Sequence, residues 1–136
     1  MLLFEGKRME KLSIEETKYT PRIIMDAEKG LLQIKGKSYP ENTFEFYKPM
    51  IEWIETYFRS PQVKTTLQME IIYFNSSSSK FFFDLFDRLE EYRERSDITI
   101  EWIYDPENES ALEAGEDFID DFEMLNIQLI EKWTTS

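Results

Sequence analysis

The sequence predicts a single-domain α/β fold: a mixed sheet of about four to five strands, opened by an N-terminal β-hairpin and covered by about three helices. Three observations predict it. Segments rich in β-branched and apolar residues alternate with segments whose apolar residues recur every three or four positions, an order that demands crossover connections and a largely parallel sheet. Two strand-like stretches near the start, "RIIMD" and "LLQIKG", flank "AEKG", whose glycine can take a positive φ, as hairpin loops require. The chain has 136 residues, 41% of them hydrophobic and 15% aromatic, enough for one core and too few for two ordinary domains.

Each element has its own signal. "KLSIEET" alternates Leu12 and Ile14 with polar neighbours and reads as a short first strand. The hairpin follows, with Gly30 in its loop. Asn42 then offers an N-cap with Glu45 at capping-box spacing, so a helix is expected to run to about Phe58. Phe44, Tyr47, Met50, Ile51, Ile54 and Phe58 form its core-facing stripe. Phe46, Trp53 and Tyr57 form a second line, expected to be less fully covered. Pro49 removes a hydrogen bond, so this helix either kinks near Phe46 or begins its regular part at Pro49.

"KTTLQMEIIYF" reads as a central strand with Leu67, Met69, Ile71 and Tyr73 on one face, joined by Ile72 and Phe74 from the other near its end. Four serines, Ser76 to Ser79, separate it from "KFFFDLFDRLEEYRER", whose Phe82, Leu85, Phe86 and Leu89 have helical spacing. "DITIEWIYD" is the next strand, closed by a "DPEN" turn. Ser110 with Glu113 is a second capping-box pair, opening an acidic helix to about Phe122. "NIQLIEKW" is a last strand or a tail. The leader, residues 1–8, is read as an untidy start or a flexible arm.

Composition excludes whole classes of function. Twenty-eight acidic residues against 16 basic ones give a net charge of −12, which opposes nucleic acid and anionic membranes alike. The chain has no cysteine and no histidine; a disulfide framework, the commonest general base and the commonest zinc ligand are all missing. No apolar run approaches the ~18 residues a membrane span needs, and "MLLF" is too short for the core of a signal peptide. A cytoplasmic protein with no cofactor is expected. A serine hydrolase is excluded as well, for no histidine can take the proton and no glycine flanks the serines to allow a nucleophile elbow.

The serine run sits where a strand ends and a helix begins, and two roles are open to it. The serines with Asn75 can cap the helix and do nothing more. Alternatively, one hydroxyl carries a phosphoryl group, which free amides and the positive end of the helix dipole can hold without disturbing the fold. Lys80, beside the run, can pair with that charge. Phe83 falls off the main stripe of its helix and is either a core flank or a partner contact. Glu113, Glu116, Asp117, Asp120 and Asp121 crowd one helix; a small metal-dependent enzyme could use them, but a solvated acidic face is the better reading. The acids of the "DPEN" and "SYPEN" loops read as turn chemistry.

The stretch "YFNSSSSKFFFDLFDRLEE", with "SYPEN" at Ser38 to Asn42 and "YDPEN" at Tyr104 to Asn108, resembles the SiaC family of bacterial regulatory phosphoproteins from about Lys18 to Phe122. Members look like distant relatives of the STAS-type anti-sigma factor antagonists. The resemblance implies a STAS-like fold and a non-enzymatic partner-switching module. A dedicated Ser/Thr kinase with a histidine-kinase-like ATPase domain would phosphorylate it, a PP2C-type phosphatase would reverse this, and the unmodified form would bind and activate a diguanylate cyclase. The family's phosphorylated threonine, in an Asn-Thr-Ser-Ser context, falls on Ser76 of Asn75-Ser76-Ser77-Ser78; this sequence has serine there, and Ser77 is the second choice. The partner-facing residues would be Asn75, Ser77, Ser78, Lys80 and Phe83. Without the resemblance, a constitutive protein-interaction module remains as the other non-enzymatic reading.

Overall fold

A computed structural model describes residues 9–133; the leader, residues 1–8, lies outside them. The strands are β1 (Leu12–Ile14), β2 (Arg22–Asp26), β3 (Leu31–Ser38), β4 (Lys64–Phe74), β5 (Asp97–Tyr104) and β6 (Asn126–Glu131). The helices are α1 (Thr43–Tyr57), α2 (Ser76–Tyr92) and α3 (Glu109–Asp121). All six strands join one sheet in sequence order, one strand more than the sequence predicts. β1, β2 and β3 pair antiparallel, and β3 to β6 pair parallel. "NIQLIEKW" is thus a strand and not a tail: Ile127 lies opposite Ile100 and Leu129 opposite Trp102.

Each helix links two adjacent parallel strands, and right-handed crossovers of this kind bring all three helices to one face of the sheet. Burial alternates accordingly. Ile23, Met25, Leu32, Ile34, Leu67, Met69, Ile71, Ile100 and Trp102 turn toward the helices and form one core with Tyr47, Met50, Ile54, Phe82, Phe86 and Phe118. On the opposite face Gln33 donates to Gln68 (2.8 Å) and Gln68 donates to Glu101 (2.9 Å), a polar ladder across three strands. The hairpin forms at the predicted loop, with Gly30 at φ 63°, where an added Cβ would lie 2.6 Å from the Lys64 carbonyl oxygen.

Four details depart from the sequence reading. Tyr73 does not share the inner face with Leu67, Met69 and Ile71, because the β3–β4 register slips by one residue: Gly36 faces Ile71, but Lys37 faces Tyr73. Ile72 is the inserted residue, so Ile72 and Tyr73 are both exposed while Phe74 turns in against Phe82 and Trp102. In α1 the buried face is rotated toward the second line. Trp53 and Tyr57 are buried, because Trp53 Nε1 donates to the Glu10 carbonyl (2.9 Å) and Tyr57 Oη meets Thr65 Oγ1 (2.7 Å), whereas Phe44 is 70% exposed. Phe44 and the half-buried Ile51 instead line a cleft between α1 and α2. Pro49 lies inside α1 and does not open its regular part, since the helix begins at Thr43 behind the Asn42 cap. Finally, α3 is capped by Asn108, not Ser110. Asn108 Oδ1 accepts from Ala111 N (3.1 Å), and its Nδ2 donates to the Ile72 carbonyl (3.0 Å), which ties the cap to the end of β4.

Candidate functional site

The carboxyl ends of β3 and β4 and the N-termini of α1 and α2 meet at the serine run. β4 ends at Phe74, and Asn75 turns the chain. Its backbone N–H donates to the Ser38 carbonyl at the end of β3 (3.1 Å), and its Oδ1 accepts from Ser78 N (2.9 Å). Ser79 N closes the first helical bond to the Asn75 carbonyl (2.9 Å). The helix therefore starts within the serine run, and an asparagine caps it. With Ser78 N and Ser79 N taken by Asn75, the amides of Ser76 and Ser77 are left at the positive end of α2.

The four hydroxyls have four different surroundings. Ser76 is exposed and its side chain makes no hydrogen bond among the described residues. Ser77 is exposed too, but its Oγ lies 2.8 Å from Thr43 Oγ1 at the start of α1 and donates to Asn75 Oδ1 (3.2 Å). Ser78, expected to face a partner, is fully buried. Its Oγ meets Ser38 Oγ (2.7 Å), which in turn meets Tyr47 Oη (2.6 Å). Helical spacing explains the reversal: Ser78 stands one turn before Phe82, on the buried stripe of Phe82, Leu85, Phe86 and Leu89, while Ser76 and Ser77 fall off it. Ser79 is half-buried in a groove of about 220 Å³ between α2 and α3, whose walls include Phe74, Phe83, Phe118, Glu113 and Asp117.

Tyr47 closes the inner side of the junction. Its ring stacks on Phe81 with centroids 4.1 Å apart. Burial pushes its phenol well above the ordinary tyrosine value, and the Ser38 hydrogen bond offsets only part of that. Lys80 is exposed and makes no ion pair among the described residues. Phe83 is half-buried, with its ring 5.0 Å from Phe118 and 5.8 Å from Phe122. It flanks the core and also forms part of the groove wall.

Three residues that the sequence does not assign to the site help to build it: Ser38, Thr43 and Tyr47. Ser38 opens "SYPEN", and Asn108 closes "YDPEN"; through Asn75 and Ile72 both motifs are bonded to the end of β4. The spatial reason for the three motifs is thus a single edge of the sheet. Among the described residues no group of three or more metal-ligating side chains converges. Asp105 Oδ1 accepts from Glu107 N (2.9 Å), as a turn requires. None of the helices among the described residues is long and apolar enough to cross a membrane.

Known proteins share this architecture. The crystal structure of apo-SiaC from Pseudomonas aeruginosa superposes with a TM-score of 0.81 at 33% identity, covering 90% of this chain and 99% of that one. A chain in the crystal structure of the diguanylate cyclase SiaD in complex with its activator SiaC, also from Pseudomonas aeruginosa, gives a TM-score of 0.82 at 33% identity, covering 89% of this chain and 99% of that one. An uncharacterized protein of Pseudomonas aeruginosa (strain UCBPP-PA14) is 36% identical over 114 residues, 83% of this chain and 90% of its own length. The model of the SiaC family regulatory phosphoproteins matches residues 14–132, from β1 past the end of β6. With all three motifs on one edge, and with nearly the whole described chain inside that match, the protein belongs to the SiaC family of regulatory phosphoproteins.

Proposed function

We propose that this chain is a non-enzymatic partner-switching regulator of the cytoplasm whose unmodified form binds and activates a diguanylate cyclase, as the SiaC of the solved complex is the activator of SiaD. A Ser/Thr kinase of the histidine-kinase-like ATPase fold phosphorylates Ser76 and so blocks the complex, and a PP2C-type phosphatase restores it. The observation that carries the reading is Ser76 itself, exposed and unbonded among neighbours that are bonded or half-buried. The amides at the start of α2 suit a phosphoryl group held at the surface.

Asn75 and Ser77 flank Ser76, Lys80 and Phe83 follow about one and two turns further along α2, and together they form the face the cyclase meets, while Ser78 holds that face from beneath. A phosphoryl group brings about 1.5 to 2 negative charges. Unless the partner pairs with them, they must be desolvated in the complex at a cost that breaks it.

The test is to treat the purified protein with such a kinase and ATP, map the phosphate by peptide mass spectrometry, and titrate both forms into the cyclase by calorimetry. Phosphate on Ser76 and a loss of affinity of about tenfold or more, or ~1.4 kcal/mol, are expected; Ser76→Ala should bind like the wild type and resist the kinase. Equal affinity of the two forms would leave a constitutive interaction module in which the serine run only starts the helix.

A further inference from the structure

Two serines in succession stand at the surface of α2, yet only one of them is chemically free. Ser76 and Ser77 are separated by about 1.5 Å of rise along the helix, so an active site that accepts one lies within reach of the other. Phosphoryl transfer requires the serine Oγ to use a lone pair to form the new Oγ–P bond to the γ-phosphorus of a nucleoside triphosphate. The bond from that phosphorus to the bridging oxygen breaks, the nucleoside diphosphate leaves, and the hydroxyl proton passes to a base of the kinase.

Ser77 is engaged on both counts. Its hydroxyl lies 3.2 Å from Asn75 Oδ1, which can only accept, and shares a 2.8 Å hydrogen bond with the Thr43 hydroxyl, so its oxygen is held from two sides. Thr43 is the first residue of α1, so the end of a second helix stands beside that oxygen. Ser78 is sealed by Ser38 and Tyr47, and Ser79 is sunk in the α2–α3 groove. Resting on the reading of Ser76 as the acceptor, we propose that Thr43 is a selectivity residue: its hydroxyl, reaching across from α1, locks the Ser77 oxygen and confines phosphoryl transfer to Ser76.

The lock is a hydrogen bond, so its strength sets the size of the effect. Thr43→Val keeps the branched shape and removes only the hydroxyl, while Thr43→Ser keeps the hydroxyl and serves as rescue. Each full-length variant is incubated with the Ser/Thr kinase and ATP, and site occupancy is read by peptide mass spectrometry. Thr43→Val should raise the share of phosphate on Ser77 about fivefold, the factor one net hydrogen bond sets; Thr43→Ser should keep the wild-type pattern. The same comparison in a Ser76→Ala background removes competition between the two hydroxyls. Ser76→Ala alone should be phosphorylated only slowly, and Ser76→Ala with Thr43→Val should gain phosphate at Ser77. A purely structural role for Thr43 would move the thermal melt and leave this distribution unchanged. Equal rates at Ser77 with and without the Thr43 hydroxyl in that background, or phosphate confined to Ser76 in Thr43→Val, would overturn the inference and leave the Ser76 reading intact. Phosphate on no serine of the wild type would overturn both.

Discussion

At the scale of single residues, Tyr47 shows how firmly the junction is held from inside. Its ring is fully buried and, among the described residues, its hydroxyl bonds to the Ser38 oxygen at 2.6 Å, which passes the contact on to Ser78. The folded protein therefore holds the neutral phenol, with its pKa raised above the unfolded value. The stability this brings is complete below the ordinary tyrosine value of about 10. It is lost as pH rises from there toward the folded-state value, because the unfolded chain ionises first. Tyr47→Phe should lower stability near neutral pH by about 0.5 to 1.5 kcal/mol, the worth of one hydrogen bond, because Ser38 and Ser78 still satisfy each other. Above about pH 10 the variant should lose less further stability than the wild type. Urea melts at several pH values check this, and parallel alkaline profiles would show that the buried phenol is not what the unfolded state ionises. Ser38, Thr43 and Tyr47 were illegible as site residues in the sequence for a plain reason. The bonds Ser38–Ser78 and Thr43–Ser77 join residues 40 and 34 positions apart, and local pattern carries no trace of such pairs.

At the scale of elements, α2 sets two neighbouring phenylalanines in different surroundings. Phe82 is fully buried, against Tyr47, Phe74 and Trp102. Phe83 is half-buried at the groove between α2 and α3. Phe82→Ala should cost about 3 to 5 kcal/mol of stability. Phe83→Ala should cost less, while weakening the proposed complex with a cyclase by about 1 to 3 kcal/mol. Thermal melts beside calorimetric titrations separate the two effects, and a Phe83→Ala variant that melts like Phe82→Ala and binds like the wild type would make Phe83 a core residue only. The stripe Phe82, Leu85, Phe86 and Leu89 was legible because a helix on a sheet buries residues at its own period. The α1 stripe was less legible. Glu10, far away in sequence, covers Trp53, while Phe44 sits beyond the packed part of the helix. Ile72 breaks the alternation of β4 through a bulge, and alternation alone cannot announce an inserted residue. Asn108 and Ser110 are both competent caps, and only the bond from Asn108 to Ile72 decides between them. Gly115 gives no signal in the local pattern, although an added Cβ there would stand 2.6 Å from Leu129 and 2.7 Å from Trp102, so α3 lies against β5 and β6 only because that position is bare.

At the scale of the whole molecule, charge and topology pull in different directions. The sheet order and three one-sided crossovers give a single continuous core, which favours the compact state. The net charge of −12 opposes it by self-repulsion. The ion pairs among the described residues offset little of this. Lys11–Asp26 (3.7 Å), Lys35–Glu70 (3.9 Å), Lys132–Glu70 (3.1 Å) and Arg88–Glu55 (2.8 Å) all have a cation at least 44% exposed, and such pairs contribute little each. α3 adds to the repulsion, for Asp120 and Asp121 stand at its negative end with no basic residue in the last turn. Screening should therefore stabilise the fold more than it weakens the few attractive pairs. Raising sodium chloride from about 0.01 M to about 1 M shortens the Debye length from about 30 Å to about 3 Å. Over that range the melting temperature should rise, with most of the gain in the dilute half, where the reach of the repulsion falls fastest. Sodium sulfate also strengthens burial by exclusion from the surface, so the chloride series is the decisive one. A melting temperature that falls with chloride would mean that the ion pairs, above all the two lysines on Glu70, outweigh the repulsion. Asp121→Lys then separates the two cases: it should raise the melting temperature in dilute salt and converge on the wild type as salt increases, because it removes repulsion at the α3 terminus and touches none of those pairs.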